Sequence, residues 1–248
     1  MIRPFARTET LFSAITPRTA RNSMIFTLVA AAALAAISLR PAHAAQAATG
    51  DTYIYRVING YNSEPRGQVS YRVDSADAGR VVMSVTTERS GAKLASTEIT
   101  TPVGNWLRHP VVSRDRAVDY EFAQAYPAYE LPLDTGKQWS GRVNAVIPST
   151  GKVTSVRVDA TVVGAERIRV PAGEFDTIKI SRTIYAGDGE YRFGETAISE
   201  VEWFAPALGR SVRIASSSGY LDLARGHLNR YVRGDWDIYE LVSAPAPR

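Results

Sequence analysis

Past residue 44 the chain alternates. Val156, Val158, Ala160 and Val162 take every second place, with Arg157, Asp159 and Thr161 between them. Val81, Met83 and Val85 repeat the pattern, as do Val212 and Ile214 against Ser211 and Arg213. Successive side chains of a strand point to opposite faces, so a period of two gives each segment one apolar and one polar face. The clearest case is 176–184, DTIKISRTI. Ile178, Ile180 and Ile184 share a face that Arg182 interrupts; Thr177, Lys179, Ser181 and Thr183 share the other. No helix of length is predicted in this part of the chain.

Short turn signals separate the strand-like runs: Asp77-Ala78-Gly79, Ser90-Gly91, Ser149-Thr150-Gly151, Pro171-Ala172-Gly173 and Gly187-Asp188-Gly189. Strands joined by such short connections must be antiparallel. The pattern therefore predicts an all-β fold, an antiparallel meander of roughly ten to twelve strands. A sheet of that size curls, closes or splits. A curved sheet, a half-barrel and a two-layer sandwich all satisfy the pattern. The middle, 102–136, is irregular and carries Pro102, Pro110, Pro127 and Pro132. It is expected to hold a short helix near Tyr120–Ala125, and to be either a crossing between two lobes or a flap over the sheet.

The first 44 residues do not alternate. Arg3, Arg7, Arg18 and Arg21 precede an uncharged apolar run, Met24 to Leu39; then come Arg40-Pro41 and Ala42-His43-Ala44. The run is shorter than the ~20 residues that span a bilayer as a helix. A basic segment, an apolar stretch and a small-x-small site together predict a cleavable secretory signal helix over 1–44. Cleavage is expected after Ala44, with Ala47 as a later option, and Met24 is an alternative start. A mitochondrial transit peptide is the rival, but such peptides are amphipathic and this run is apolar on every side. The mature part is read as one β domain, 45–243, with two lobes possible around 102–136. The Pro/Ala-rich tail, 244–248, is read as disordered.

Removing the signal changes the charge. The whole chain has 29 basic and 25 acidic residues. Residues 1–44 contain Arg3, Arg7, Arg18, Arg21 and Arg40 but only one acid, Glu9, so the remainder balances. A neutral mature chain gives no electrostatic case for nucleic acid. There is no cysteine, which excludes disulfides, thiolate metal sites and a lipid on an N-terminal cysteine. The expected location is a bacterial periplasm or the exterior, with no transmembrane anchor after cleavage.

Candidate chemistry is sparse. His109 and His227 lie far apart, and neither has a ligand at metal-binding spacing, so no metal or other cofactor is expected. There is no G-x-S-x-G; Ser216-Ser217-Ser218-Gly219 reads as a turn. Glu200 with Glu202, and Asp235 with Asp237 around Trp236, put two acids on one strand face. Both pairs are expected on solvated faces, because a glycosidase needs its carboxylates across a cleft. Gly187-Asp188-Gly189 lacks the helix of a dinucleotide loop. Arg233-Gly234-Asp235 is read as a chance tripeptide. No catalytic residue is assigned. Tyr53, Tyr55 and Tyr61 cluster at the mature N-terminus, and Tyr120, Phe122, Tyr126 and Tyr129 in the middle.

Three segments carry a resemblance. Leu131-Pro-Leu-Asp-Thr-Gly-Lys-Gln-Trp139, Val170-Pro-Ala-Gly-Glu-Phe175 with the strand to Ile180, and Glu202-Trp-Phe-Ala-Pro-Ala-Leu-Gly-Arg-Ser-Val-Arg213 stand in that order. Over about residues 130–214 the chain resembles a group of uncharacterised bacterial secreted β-proteins. They share PL-x-x-G-x-x-W, V-P-A-G-x-F and W-F-x-P-x-x-G-x-V-R motifs. The resemblance brings no activity with it. Its sheet is similar to the curved half-barrel of periplasmic lipoprotein carriers, which hold acyl chains on a concave face.

Together these readings predict an exported, non-enzymatic β-protein that binds a lipid or another apolar, envelope-derived ligand. Trp139, Phe175, Trp203 and Trp236 are its candidate ligand-binding or core residues. One alternative is a structural module that joins an envelope protein partner; another is a carboxylate-dependent hydrolase. Oligomeric state is open.

Overall fold

A computed structural model describes residues 47–113, 116–187, 194–223 and 230–246. Within them lie twelve strands and no helix. They are β1 (Thr52–Asn59), β2 (Pro65–Ala76), β3 (Val81–Arg89), β4 (Ala92–Thr100), β5 (Trp106–Ser113) and β6 (Arg116–Tyr126), followed by β7 (Gln138–Ile147), β8 (Lys152–Val170), β9 (Gly173–Ala186), β10 (Thr196–Ala205), β11 (Arg210–Asp222) and β12 (Arg230–Ser243). Each strand pairs antiparallel with the next, and β12 pairs with β1, so the meander closes into a barrel. This is more closed than a half-barrel. Closure pairs the first strand with the last, so neither is left as a sheet edge.

The expected helix at Tyr120–Ala125 is strand instead, inside β6. Tyr120 and Phe122 alternate inward with Asp119 and Glu121, and the aromatic side chains pack into the barrel. Ser216 to Gly219, read as a turn, lie inside β11. The signal segment 1–44, His227 and most of the Gly187-Asp188-Gly189 connection lie outside the described residues.

Turn chemistry accounts for several reversals. Gly91 and Gly151 take φ of 79° and 68° after Ser90 and Thr150, where a side chain would be strained. Gly67 sits at φ 145° with its Cα so near the Glu88 carbonyl that a Cβ would collide with it. That close approach is what the β2–β3 ladder requires at this point.

The interior has two large apolar masses and a small patch of Val57, Val69 and Val85. One spans β5 to β10 and includes Tyr126, Trp139, Val158, Val162 and Ile180. The other joins β1 to β3 with β10 to β12 and includes Tyr55, Val73, Val212 and Leu241. The outward face is polar instead. Arg56 pairs with Glu240, Arg157 with Asp159 and Arg169 with Glu174 across it. A lipid-facing barrel needs an apolar outer band; this one carries ion pairs there.

Candidate functional site: the barrel interior

Barrel width grows with strand number. About eight strands leave an interior that side chains fill or that holds one small ligand. Twelve leave more, and here the two apolar masses do not fill it. A cavity of about 1590 Å³ runs between them. It opens at the end carrying the β1–β2, β3–β4 and β7–β8 turns, where exposed Lys152, Arg233 and Asp235 and half-buried Arg89 line it. The opposite end is covered by the β6–β7 connector, 127–137. Ala128 of that connector is fully buried, and Tyr129 reaches inside the wall to donate a hydrogen bond to Glu202 Oε2 at 3.1 Å. The irregular middle of the sequence is thus a β-hairpin followed by a connector whose Ala128 and Tyr129 turn inward.

Three charged groups line the cavity. The first surrounds Arg182, the residue that breaks the isoleucine face of β9. Its side chain points inward between Ile180 and Ile184 and is 1% exposed. Register brings Glu200 of β10 directly beside it. Arg182 Nε lies 3.2 Å from Glu200 Oε2, and Nη2 pairs with Glu202 Oε1. Nη1 donates to the Ala128 carbonyl at 3.2 Å. Ser211 Oγ donates to Glu202 Oε2 at 2.9 Å. Burial pushes the Glu202 carboxyl up; Arg182 pulls it down, and the neighbouring Glu200 charge pushes it up again. The net direction is upward, so this acid is drawn toward its protonated form.

The second group stands at the mouth. Arg66 Nη1 lies 2.7 Å from Asp237 Oδ1 and 2.8 Å from Asp235 Oδ1. Arg89 Nη2 lies 2.9 Å from Asp237 Oδ2. The four side chains form a charge-balanced cluster from β2, β3 and β12. Asp237 is buried, whereas Asp235 reaches solvent.

The third group lies deeper. His109 Nδ1 is 2.8 Å from Glu98 Oε2, and the imidazole stacks on Trp106 with centroids 3.9 Å apart. Burial opposes the Glu98 charge, but His109 and then Arg210 outweigh it, and the carboxyl is held below its usual range. Arg210 itself is ringed by aromatics. Its guanidinium carbon sits 4.1 Å from the Tyr71 ring centroid and 5.0 Å from that of Tyr53. Arg210 Nε donates to Tyr55 Oη at 3.0 Å, and Nη1 points to Met83 Sδ at 3.1 Å.

The expectation that Glu200, Glu202, Asp235 and Asp237 lie on solvated outer faces is therefore overturned: all four face the cavity. They share one interior, yet each pair is engaged by arginine rather than left free. His109 faces the interior too. The four aromatic candidates go elsewhere, and none lines the main cavity. Trp139 is core, its Nε1 donating to the Pro127 carbonyl at 2.9 Å. Phe175 packs against the second apolar mass. Trp203 lies on the outward side, donating to Glu166 Oε2 at 3.0 Å under Lys179 and Arg213. Trp236 is partly exposed and meets Tyr61 edge-on at 5.4 Å. The cavity-lining polar residues were visible in the sequence only as interruptions of apolar faces, as at Arg182. No group of metal-ligating side chains stands together among the described residues.

Fold and interior thus define a closed antiparallel β-barrel with a large, polar-and-apolar cavity. No known family model and no curated protein matches the chain. Among solved structures, it is similar to a protein from Bacteroides fragilis provisionally described as exported, with a YmcC-like fold (15% identity, TM-score 0.47, covering 83% of this chain and 100% of that one). It is also similar to a protein from Parabacteroides distasonis provisionally described as a lipoprotein (13% identity, TM-score 0.45, 79% and 95% covered). A third is the hypothetical lipoprotein YmcC from Escherichia coli (10% identity, TM-score 0.41, 80% and 86% covered). Likeness at this level carries no argument about what this chain does.

Proposed function

We propose that this is an exported bacterial envelope protein that acts by holding a ligand inside its barrel. The observation that carries the reading is the cavity of about 1590 Å³. Ligand pockets commonly measure about 300–1,000 Å³, so a lipid-sized molecule is within its capacity. Val69, Val85, Ile198 and Ile214 offer it apolar wall, and the arginine and carboxylate groups offer it polar contacts. The ligand is therefore amphipathic rather than purely apolar. Binding is favoured over hydrolysis because the four inward acids are tied to Arg182, Arg66 and Arg89. The export part rests on the signal pattern of residues 1–44 alone.

The binding reading is tested with a polarity-sensitive apolar fluorophore, N-phenyl-1-naphthylamine. Saturable binding is expected, and Val85→Trp, which fills the cavity at mid-height, should abolish it while the thermal transition persists. No saturable binding by the unmodified protein defeats the reading. Export is checked separately by N-terminal sequencing of the protein recovered outside the cytoplasm. A product beginning near Ala45 is expected, and a cytoplasmic product that keeps Met1 would count against export.

A further inference from the structure

Resting on the ligand-binding reading, we propose that Arg210 is the anchor for a carboxylate head group, and that the ligand is a single-chain amphiphile bound head-down in the barrel. Arg210 begins β11, at the covered end of the cavity, and its side chain lines that cavity. A guanidinium carries donors on all three nitrogens. Nε is taken by Tyr55 Oη and Nη1 by Met83 Sδ. Nη2 has no protein acceptor among the described residues, and no carboxylate there lies within ion-pair distance of Arg210.

The contrast with the buried Arg182 is direct. Arg182 meets Glu200, Glu202 and the Ala128 carbonyl with its three nitrogens. Arg210, half-buried against the cavity, lacks such an acid. The carboxylate whose field it feels most is Glu98, and Glu98 is bonded to His109. A guanidinium that faces a cavity with a free donor and no acid beside it is a ready site for an anionic group. A ligand carboxylate is the acceptor that also balances its charge, through a charge-assisted bond stronger than a neutral one.

The surroundings set the rest of the ligand. Tyr53, Tyr55 and Tyr71 hold the guanidinium in place by ring contacts. Tyr55 is itself fixed, donating to the Ser211 carbonyl at 2.7 Å. Next along the wall toward the mouth come Val57, Val69 and Val85, which form an apolar patch of their own. The charge-balanced Arg66, Arg89, Asp235 and Asp237 cluster then stands at the rim. A deep cation, an apolar middle and a polar rim match a carboxylate followed by a hydrocarbon chain.

The test compares cis-parinaric acid with its methyl ester by fluorescence titration of the purified protein at neutral pH. The two probes share a hydrocarbon chain and differ only in the head group. The acid should bind at least about tenfold tighter than the ester. Arg210→Met should remove that preference. Equal affinity for acid and ester in the unmodified protein overturns the anchor while sparing the cavity reading. So does an Arg210→Met variant that keeps the preference. If neither probe binds, the cavity reading fails with it. Should Arg210→Met not fold, the acid–ester comparison in the unmodified protein still decides.

Discussion

Strands β8 and β9 and the β5–β6 hairpin belong to one barrel but are held in it differently. The β8–β9 ladder runs from Arg157–Tyr185 to Val170–Gly173, interrupted by one irregularity near Val162 and Gly164. By contrast, β4 meets β5 at Ile99–Arg108 and Thr100–Trp106 alone among the described residues. On its other flank the hairpin meets β7 at Glu121–Val146 and Phe122–Ala145. Within itself the hairpin is well paired, from Arg108–Glu121 to Ser113–Arg116. Pro110 belongs there, since a residue without an N–H is tolerated where a strand has a free edge. The hairpin is thus a stave held near one end, next to an exposed stretch of β4 where Leu94 is 68% exposed. Side-chain packing supplies what the ladder does not: Trp106 stacks between His109 and Tyr126, with centroids at 3.9 and 4.7 Å.

Arg182 ties the two regions, because it stands on β9 yet holds the Ala128 carbonyl just past the hairpin. Arg182→Met should therefore have the largest effect. It leaves Glu200 and Glu202 enclosed without their cation, which costs about 3–5 kcal/mol, read as a lower urea midpoint. Trp106→Ala comes next, at about 3 kcal/mol. Its signature is regional: hydrogen exchange should rise over 106–126 while β8 and β9 keep their protection. Equal acceleration on both sides would mean the stave is not separately held.

The pH dependence of stability sharpens the contrast further. Glu98, beside the hairpin, has a lowered carboxyl pKa, with burial opposed and outweighed by His109 and Arg210. Its contribution is complete above the unfolded-state value and is lost as pH falls through the folded one. Glu202, in the wall, has a raised one, through burial first. Its contribution is greatest in acid and declines as pH rises through the raised value. Denaturation across a pH series should show Glu98→Gln flattening the acid limb and Glu202→Gln flattening the opposite one. The smallest effect is expected at the barrel's closing seam. Arg56 pairs with Glu240 there at 2.6 Å but is 53% exposed, so Arg56→Ala should cost less than about 1 kcal/mol in the same denaturation assay.

The strands were legible because alternation is a local property. Val156 to Val162 and Val81 to Val85 show their inward faces plainly. Which polar residues lie inside was not legible, for a physical reason. A filled core admits few charges, so a carboxylate on a strand is naturally read as facing water. In a hollow barrel the inner face also borders polar space, and Glu200, Glu202, Asp235 and Asp237 lie on it. Arg182 was the visible exception, placed in register with the isoleucines. Its partners come from β10 and from the connector, and pairing across strands is a tertiary fact. The same holds for His109 and Glu98, which join only because β4 and β5 are neighbours. The run Tyr120–Ala125 misled because its composition suits a helix as well as a strand, and only the partner strand decides.

Closure by the first and last strands bears on how the molecule is made. Arg56 and Glu240 are 184 positions apart yet joined. Every other strand pairs with its neighbour in sequence, so most of the sheet can assemble before the chain is complete. The final joint cannot. It brings together two distant parts of the chain, the kind of contact that slows folding most. Until β12 arrives, β1 is an open edge and the interior is a trough rather than a chamber. The chain therefore acquires its enclosed volume only when the last strand docks against the first.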